Sequence, residues 1–223
     1  GGEAIEPGIT TAEIDKIIYD FIVRHGARPN FLHLYGFPAT ACISVNDTVI
    51  HGIPSKQQQI RPGDIVSIDT GCKIDGFNGD NACTYGCGKL DLEAQRLLDV
   101  TKESLHRGIE MACGGNRVGD IGHAVQSYVE ENSFSVVRTF VGHGVGEHLH
   151  EEPEVPNYGK PGRGPRLIRG MVIAIEPMIT AGGYAVRWLD DDWTVVTEDG
   201  SLAAHYENTI LITLAVSYTH LTL

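Results

Sequence analysis

Long apolar runs are missing from this 223-residue sequence. No stretch approaches the ~18 consecutive apolar residues that a membrane-spanning helix needs, and no signal peptide opens the chain. We therefore expect no membrane association. The 42% of apolar residues are ample for a core, and the length suggests one large or two small domains.

Basic residues are also scarce. Lys and Arg total 17 against 29 Asp and Glu, which gives a formal net charge of −12. This balance disfavours nucleic acids and anionic membranes as primary partners. The five cysteines are an odd set without CxxC spacing, a pattern that predicts reduced thiols in a cytoplasmic protein.

The zincin motif HExxH is absent as well. His150 and Glu151 begin such a pattern, but position 154 is Glu instead of His. In addition, Pro153 would break the helix that the motif requires.

Two acidic residues flank a predicted β-hairpin. The segment 64–82 has strand-like composition on both sides of a turn within 72–76. A turn centred just before Asp75 places Asp69 opposite Asp80, whereas a turn centred just after Asp75 makes them diagonal neighbours on one face. Either register brings the two carboxylates to within roughly 5–8 Å. Charges that close repel each other unless a cation lies between them.

A pattern recurs at a spacing of 107 residues. The amphipathic helix that follows the capping box at Thr10 has a counterpart around Asp120. The strand that ends at Asp69 has a counterpart that ends at Glu176. The shared offset predicts two similar α+β halves, roughly 9–113 and 114–214, whose strand-end acids meet at a pseudo-twofold centre. Further predicted elements are a helix capped by Asp91 that ends before Gly114, and strands at 41–45, 48–50, 134–141, 171–178, 184–189, 194–197 and 209–213.

These elements frame a candidate metal site. His143 lies in a glycine-rich stretch, 142–146, and Glu207 lies at the edge of the last predicted strand. With Asp69, Asp80 and Glu176 they make four carboxylates and one imidazole, a set suited to two divalent ions whose charge it balances. A hydroxide bridging the two ions would supply a nucleophile, and a neutral histidine could orient the bond being cut.

Six motifs in order resemble the type I, bacterial-type methionine aminopeptidases, over about residues 5–213. They are HGIP (51–54), DIVSIDTG (64–71), FNGD (77–80), GHGVGEHLHEEP (142–153), IEPM (175–178) and YENTI (206–210). The resemblance implies the α+β pita-bread fold of creatinases and aminopeptidases, with two pseudo-symmetric halves, a curved antiparallel sheet and outer helices. It further implies a single catalytic domain spanning 1–223 that removes the initiator methionine from nascent proteins whose second residue is small.

The same resemblance assigns roles to the metal ligands. Asp69 binds one ion and His143 and Glu176 bind the other, while Asp80 and Glu207 bridge both. Glu176 would also shuttle the proton of the bridging water.

It assigns the substrate contacts in the same way. His150 would contact the scissile amide and stabilise its tetrahedral intermediate, and His51 would position the substrate. The methionine pocket would be formed by Phe37, Cys42, Leu149 and Trp193, with Leu34 and Tyr35 near its rim.

The implied cofactors are two divalent ions, chosen from Co²⁺, Mn²⁺, Fe²⁺ and Zn²⁺, and one Na⁺ or K⁺ near Asn46. The implied partners are nascent polypeptide N-termini, and the implied state is a monomer without a nucleic-acid role; ribosome contacts stay open.

The sequence departs from the family pattern in two places. The family's N-terminal helix is missing ahead of Glu3, and the tail 215–223 does not resemble the usual ending.

Two alternative functions stay open. A prolidase or Xaa-Pro aminopeptidase would share the five ligands but usually carries an extra N-terminal domain. A noncatalytic binding protein of this fold would be expected to lose ligands, and none is lost.

Overall fold

The computed structural model describes residues 1–213 and the backbone of 218–219. The α-helices in that part are α1 (Thr11–Arg24), α2 (Leu92–Met111) and α3 (Val118–Glu131). The strands are β1 (Arg28–Pro29), β2 (Cys42–Val45), β3 (Thr48–Ile50), β4 (Ile65–Ile74), β5 (Phe77–Gly86), β6 (Ser135–Val136), β7 (Gly142–Gly144), β8 (Glu151–Val155), β9 (Val172–Ile175), β10 (Met178–Thr180), β11 (Val186–Trp188), β12 (Val195–Thr197), β13 (Ala203–His205), β14 (Glu207–Leu211) and β15 (Tyr218–Thr219). Apart from β15, the predicted atypical tail 215–223 lies outside the described residues. None of the described helices is long and apolar enough to cross a membrane.

Side-chain caps start the first two helices where the sequence predicts them. The Thr10 hydroxyl accepts a hydrogen bond from the Glu13 amide at 3.2 Å, and the Glu13 carboxylate accepts one from the Thr10 amide at 2.9 Å. The Asp91 carboxylate accepts a bond from the Ala94 amide at 2.7 Å and caps α2. Such caps stabilise a helix by typically ~1 kcal/mol because they satisfy amides that have no intrahelical partner.

The main sheet has nine strands, all paired antiparallel. Its order is β1-β4-β5-β14-β9-β7-β8, with β2 beside β4 and β15 beside β14. Helix α1 packs its buried residues on Val66 and Ile68 of β4. Because side chains alternate along a strand, Asp69 points to the face of the sheet that is opposite to α1. Two three-stranded sheets, β13-β10-β6 and β11-β12-β3, flank this arrangement.

Several elements recur 107 residues apart. Helices α1 and α3 both contain 14 residues and are related by this offset. So are β1 and β6, the starts of β4 and β9, and the isolated bridges Thr10–Gln59 and Arg117–Arg166. The spacing seen in the sequence therefore corresponds to two stretches of chain with the same succession of elements.

Three predicted boundaries differ from the structure by more than two residues. The hairpin turn is narrower than 72–76, because Ile74 pairs with Phe77 and only Asp75 and Gly76, with φ of 51° and 89°, form the loop. Two successive positive φ angles are typical of the type I′ turn, whose twist matches that of the strands.

The other two corrections concern interrupted strands. The predicted strand 134–141 is limited to β6, after which Phe140 and Val141 leave the sheet and line a cavity. The predicted strand 171–178 is split into β9 and β10 at Glu176-Pro177. Proline has no amide hydrogen for the ladder, so the strand ends just before it.

Candidate metal centre and substrate cavity

Five neighbouring strands each bring one predicted metal ligand to the same place. Asp69 lies on β4, Asp80 on β5, Glu207 at the start of β14, Glu176 directly after β9, and His143 in the middle of β7. These strands are consecutive in the sheet. The register aligns them as well, since Asp69 and Glu207 both lie opposite Ala82 of β5.

The ligand atoms converge closely. They form three overlapping groups, each with all donor atoms within 4.8 Å: Asp69, Asp80 and Glu207; His143, Glu176 and Glu207; and Asp80, His143 and His150. The His143 Nε2 atom lies 3.6 Å from Glu176 Oε1 and 3.9 Å from Asp80 Oδ2. All five predicted ligands therefore meet in one cluster.

Hydrogen bonds orient two of the ligands. His143 Nδ1 lies 2.9 Å from the Gly144 carbonyl oxygen. A carbonyl only accepts, so Nδ1 carries the proton in the neutral ring and the Nε2 lone pair faces the carboxylates. The Thr209 hydroxyl holds Asp80 by its backbone, accepting from its amide at 2.8 Å and donating to its carbonyl at 2.9 Å.

Burial dominates the electrostatics of this cluster. It raises the pKa of Asp69, Glu176 and Glu207 well above the usual range, and repulsion from neighbouring carboxylates adds to the effect. The pKa of Asp80 is raised to about 7 by burial. Burial also lowers the pKa of His143, which favours the neutral ring that binds metals. Without cations, the cluster therefore disfavours its own negative charge.

Unpartnered oxygen atoms show that the donor set fits divalent ions. Asp69 Oδ1 and Glu207 Oε1 are buried and have no hydrogen-bond partner. A buried carboxylate oxygen without a donor is costly, and a coordinated cation removes that cost. Oxygen ligands plus one imidazole suit Mn²⁺, Fe²⁺, Co²⁺ or Zn²⁺.

The cluster opens into a cavity of about 620 Å³. Of the residues predicted to contact substrate, those that line it are Leu34, Tyr35, Phe37, Cys42, His51, His150 and Trp193. Leu149 is not among the lining residues but packs in the same apolar cluster as Phe37 and Cys42. The Phe37 and Trp193 rings meet edge to face at 5.1 Å and form an apolar wall beside the carboxylates.

Two histidines line the same cavity, His51 beside Trp193 and His150 beside His143. His51 has a left-handed backbone with φ of 57°, a conformation that costs energy for a non-glycine residue and is common at functional sites. The His150 ring centroid lies 4.4 Å from that of His143. Burial lowers the pKa of His51 to about 4. The residue His150 is solvent-exposed, but desolvation of its ring, together with repulsion from His143 and His51, lowers its pKa to about 4 as well, which favours the neutral ring near pH 7.

Sequence reasoning missed several residues of the site. Additional lining residues are Phe31, Ile50, Phe140, Val141, Glu151, Glu152 and Glu154. Asn81 and Asn208 each donate to the Glu207 carbonyl at 2.6 Å. His205, buried beside Glu207, was also missed. Phe31 carried no sequence signal, and the others lie within or next to a predicted ligand or motif.

Asn46 lies in a different place. It occupies the turn between β2 and β3 with φ of 57°, and its side chain bonds Asp64 and the amide of Ile65. It is not among the residues that line the cavity.

A cluster of four carboxylates and one imidazole that opens into a cavity, in this arrangement of strands, is typical of a metallohydrolase. The chain belongs to metallopeptidase family M24, whose sequence model matches residues 2–214.

Within that family the chain is similar to methionine aminopeptidases. It is 57% identical to that of Clostridium perfringens over 210 residues, which cover 94% of this chain and 84% of the relative. It is 51% identical to methionine aminopeptidase 1 of Bacillus subtilis over 209 residues, with the same two coverages. The predicted family is therefore confirmed.

Solved structures give the same result for the fold. The methionine aminopeptidase of Rickettsia prowazekii superposes with a TM-score of 0.96 at 40% identity, covering 98% of this chain and 88% of that one. Prolidase from Pyrococcus furiosus superposes at 0.75 with 23% identity, covering 97% of this chain and 57% of that one. The second likeness shows only the shared fold, and the predicted pita-bread fold is confirmed.

Proposed function

We propose that this chain is a metal-dependent aminopeptidase that removes the N-terminal methionine from nascent polypeptides whose second residue is small. The observation that carries the proposal is the convergence of five ligands from neighbouring strands on a cavity with an apolar wall. The enzyme class agrees with the family and with the relatives named above.

Asp69 lies on β4 and His143 on β7, the first and last of the five neighbouring strands that bear ligands. In the proposed arrangement Asp69 holds one ion, His143 and Glu176 hold the other, and Asp80 and Glu207 contact both. Two bound divalent ions would supply a Lewis acid and a water of lowered pKa. The ions are drawn from Fe²⁺, Mn²⁺, Co²⁺ and Zn²⁺.

Glu176 and His150 are suited to the proton and charge movements of amide hydrolysis. Glu176 lines the cavity next to the metal ligand His143, so its carboxylate would be placed to take up a proton and return it to the leaving amine. His150, being neutral, offers a ring N–H to the oxygen of the scissile amide, where negative charge develops. His51 orients the leaving side of the substrate.

The cavity walls match the ends of the substrate. Phe37, Cys42 and Trp193 line the cavity, and Leu149 packs in the same apolar cluster; together they provide apolar and sulfur surface for a thioether side chain. No Lys or Arg is among the residues that line the cavity, whereas Glu151, Glu152 and Glu154 line it together with the ligand acids. This acidic surrounding favours the cationic amine of a free N-terminus.

We further propose a compartment, an oligomeric state, a domain organisation and a monovalent-cation site for this chain. The chain is a monomeric cytoplasmic enzyme that acts on nascent chains, and the free state of all five cysteines supports that compartment. It is a single catalytic domain of two halves, 9–113 and 114–214, supported by the elements that recur 107 residues apart. A Na⁺ or K⁺ ion binds by backbone oxygens near the strained turn at Asn46.

A peptide panel tests the proposed specificity. Mn²⁺-loaded protein is incubated with Met-Ala-Ser, Met-Leu-Ser and Ala-Pro-Ser, and released amino acids are quantified. Release of methionine from the first peptide, with little from the other two, is expected. Preferential cleavage of Ala-Pro-Ser would instead indicate an Xaa-Pro peptidase, and inert protein that still binds metal would indicate a noncatalytic binding protein.

A further inference from the structure

His205 is a buried histidine that the mechanism above does not use. Its side chain lies in the core with the residue only 2% exposed, and its Nε2 atom has no hydrogen-bond partner. That nitrogen lies 4.0 Å from Oε2 of Glu207, whose other carboxylate oxygen, Oε1, is also buried without a partner. An imidazole nitrogen without a hydrogen-bond partner therefore lies next to a carboxylate of the candidate metal centre.

The backbone of His205 is held firmly. Its amide donates to the Thr84 hydroxyl at 2.9 Å, and the same hydroxyl donates to its carbonyl at 2.8 Å. The Tyr206 hydroxyl, in turn, donates to the Thr84 carbonyl at 2.8 Å. His205 ends β13 and Glu207 begins β14, so a single residue links the imidazole to the carboxylate. The fold thus fixes the ring beside Glu207.

Packing alone does not account for an imidazole in this position. A buried ring nitrogen without a partner costs ~1–3 kcal/mol, whereas an aliphatic side chain of similar volume would not carry that cost. A separation of 4.0 Å is too long for a hydrogen bond, but a movement of the carboxylate by about 1 Å would close it. The nearest ionic partner that the structure offers to Nε2 is Glu207.

We propose that His205 is a positioning residue that donates from Nε2 to Glu207 and fixes the orientation of that carboxylate toward both metal ions. The inference rests on the metal centre of the proposed function. A partner that donates a hydrogen bond to a ligating carboxylate restricts the rotation of that carboxylate. Removing such a partner typically weakens metal affinity by roughly 10- to 100-fold.

Metal affinity separates this role from a merely structural one. Mn²⁺ is titrated into metal-free protein by calorimetry for wild type, His205→Gln, His205→Leu and His205→Met. Glutamine retains an N–H donor, whereas leucine and methionine fill the space without one. We expect His205→Gln to bind Mn²⁺ like wild type, and the two apolar variants to bind roughly 10- to 100-fold more weakly.

Two controls keep the outcomes distinct. The exposed His123 of α3, changed to Leu, is expected to bind Mn²⁺ like wild type. Thermal unfolding without metal identifies any variant that does not fold, and the methionine variant serves if the leucine variant fails. Unchanged Mn²⁺ affinity in a folded apolar variant overturns the inference, as does an equal loss in His205→Gln. If wild type itself binds no Mn²⁺, the proposed function fails and the inference fails with it.

Discussion

Asp69 and Asp80 are diagonal neighbours on one face of the β4–β5 hairpin. Asp69 pairs with Ala82 and Asp80 pairs with Gly71, so the two acids are offset by two positions along the ladder and lie on the same side of the sheet. The two-residue loop sets this register. A slip of one residue would turn one carboxylate to the opposite face. The turn therefore determines whether these two ligands can share a cation.

The first prediction concerns Gly142, which precedes His143 in β7. A Cβ atom at Gly142 would lie 2.3 Å from the Ala174 carbonyl oxygen. Moving backbone atoms to relieve this clash costs energy, so Gly142→Ala is expected to lower the free energy of unfolding by about 1–3 kcal/mol. The same change should weaken Mn²⁺ binding because it displaces His143. Urea unfolding and calorimetry measure the two effects.

Gly79→Ala is the matched control for this change. Gly79 precedes Asp80 just as Gly142 precedes His143, but an added Cβ there meets nothing within 4 Å. We expect this variant to keep stability and metal binding. Equal behaviour of the two alanine variants would contradict the packing argument.

The second prediction concerns His150. If its ring donates to the oxygen of the scissile amide, His150→Ala should lower kcat on Met-Ala-Ser by roughly 10²- to 10³-fold, the usual effect of removing one such donor. Mn²⁺ affinity should change little, because the proposed ligand set does not include His150. His148→Ala, which removes an exposed imidazole two residues away, should retain kcat. Full activity of His150→Ala would exclude the assigned role.

The third prediction separates the two tryptophans. Trp193 lines the cavity beside Phe37. Trp193→Ala should therefore lower kcat/KM for methionyl peptides by ~10- to 200-fold, mainly by raising KM, because the pocket loses apolar contact worth a few kcal/mol. Trp188 packs on Phe140 at 5.5 Å but is half exposed and does not line the cavity. Trp188→Ala should therefore have a much smaller effect, and the reverse order would place the methionine pocket elsewhere.

The fourth prediction links metal removal to pH. In the metal-free protein Asp80 has its pKa raised to about 7, and the pKa values of Asp69, Glu176 and Glu207 are raised further above their ordinary range. A raised carboxyl pKa means that the folded state binds more protons than the unfolded one, so the stability it contributes is lost as pH rises through the folded-state pKa. Between pH 7 and 8, where unfolded histidines are largely neutral, the unfolding free energy of metal-free protein should fall.

Saturating Mn²⁺ should abolish or reverse this decline, because bound ions require and stabilise the ionised carboxylates. Chemical unfolding at pH 7, 7.5 and 8, with and without Mn²⁺, measures both slopes. Metal-free protein whose stability rises over this interval would contradict the described electrostatics.

Much of the site was predictable because its signals are local. An acid inside an apolar run, as at Asp69, is a poor strand residue unless something binds it. The 107-residue spacing related Asp69 to Glu176 and anticipated the matched elements that the structure contains. The capping box at Thr10 fixed the start of α1 for a similar reason, since every interacting group lies within four residues.

The remainder depends on long-range contacts. The order β4-β5-β14-β9-β7, which makes five ligand-bearing strands neighbours, leaves no trace in local composition. Composition continued the strand past Val136 toward Phe140, whereas the chain departs there to line the cavity. His205 was overlooked because its meaning comes from its distance to Glu207 and from its burial.

The most direct test of the account is methionine release from Met-Ala-Ser by metal-free protein titrated with Mn²⁺. His143→Ala serves as the comparison, and circular dichroism verifies that both proteins are folded. We expect no release without metal, release that rises with added Mn²⁺, and loss of that release in His143→Ala. The proposed metal-dependent activity would be contradicted by release that is unaffected by metal removal. It would also be contradicted by release that persists in His143→Ala at the wild-type rate and Mn²⁺ dependence.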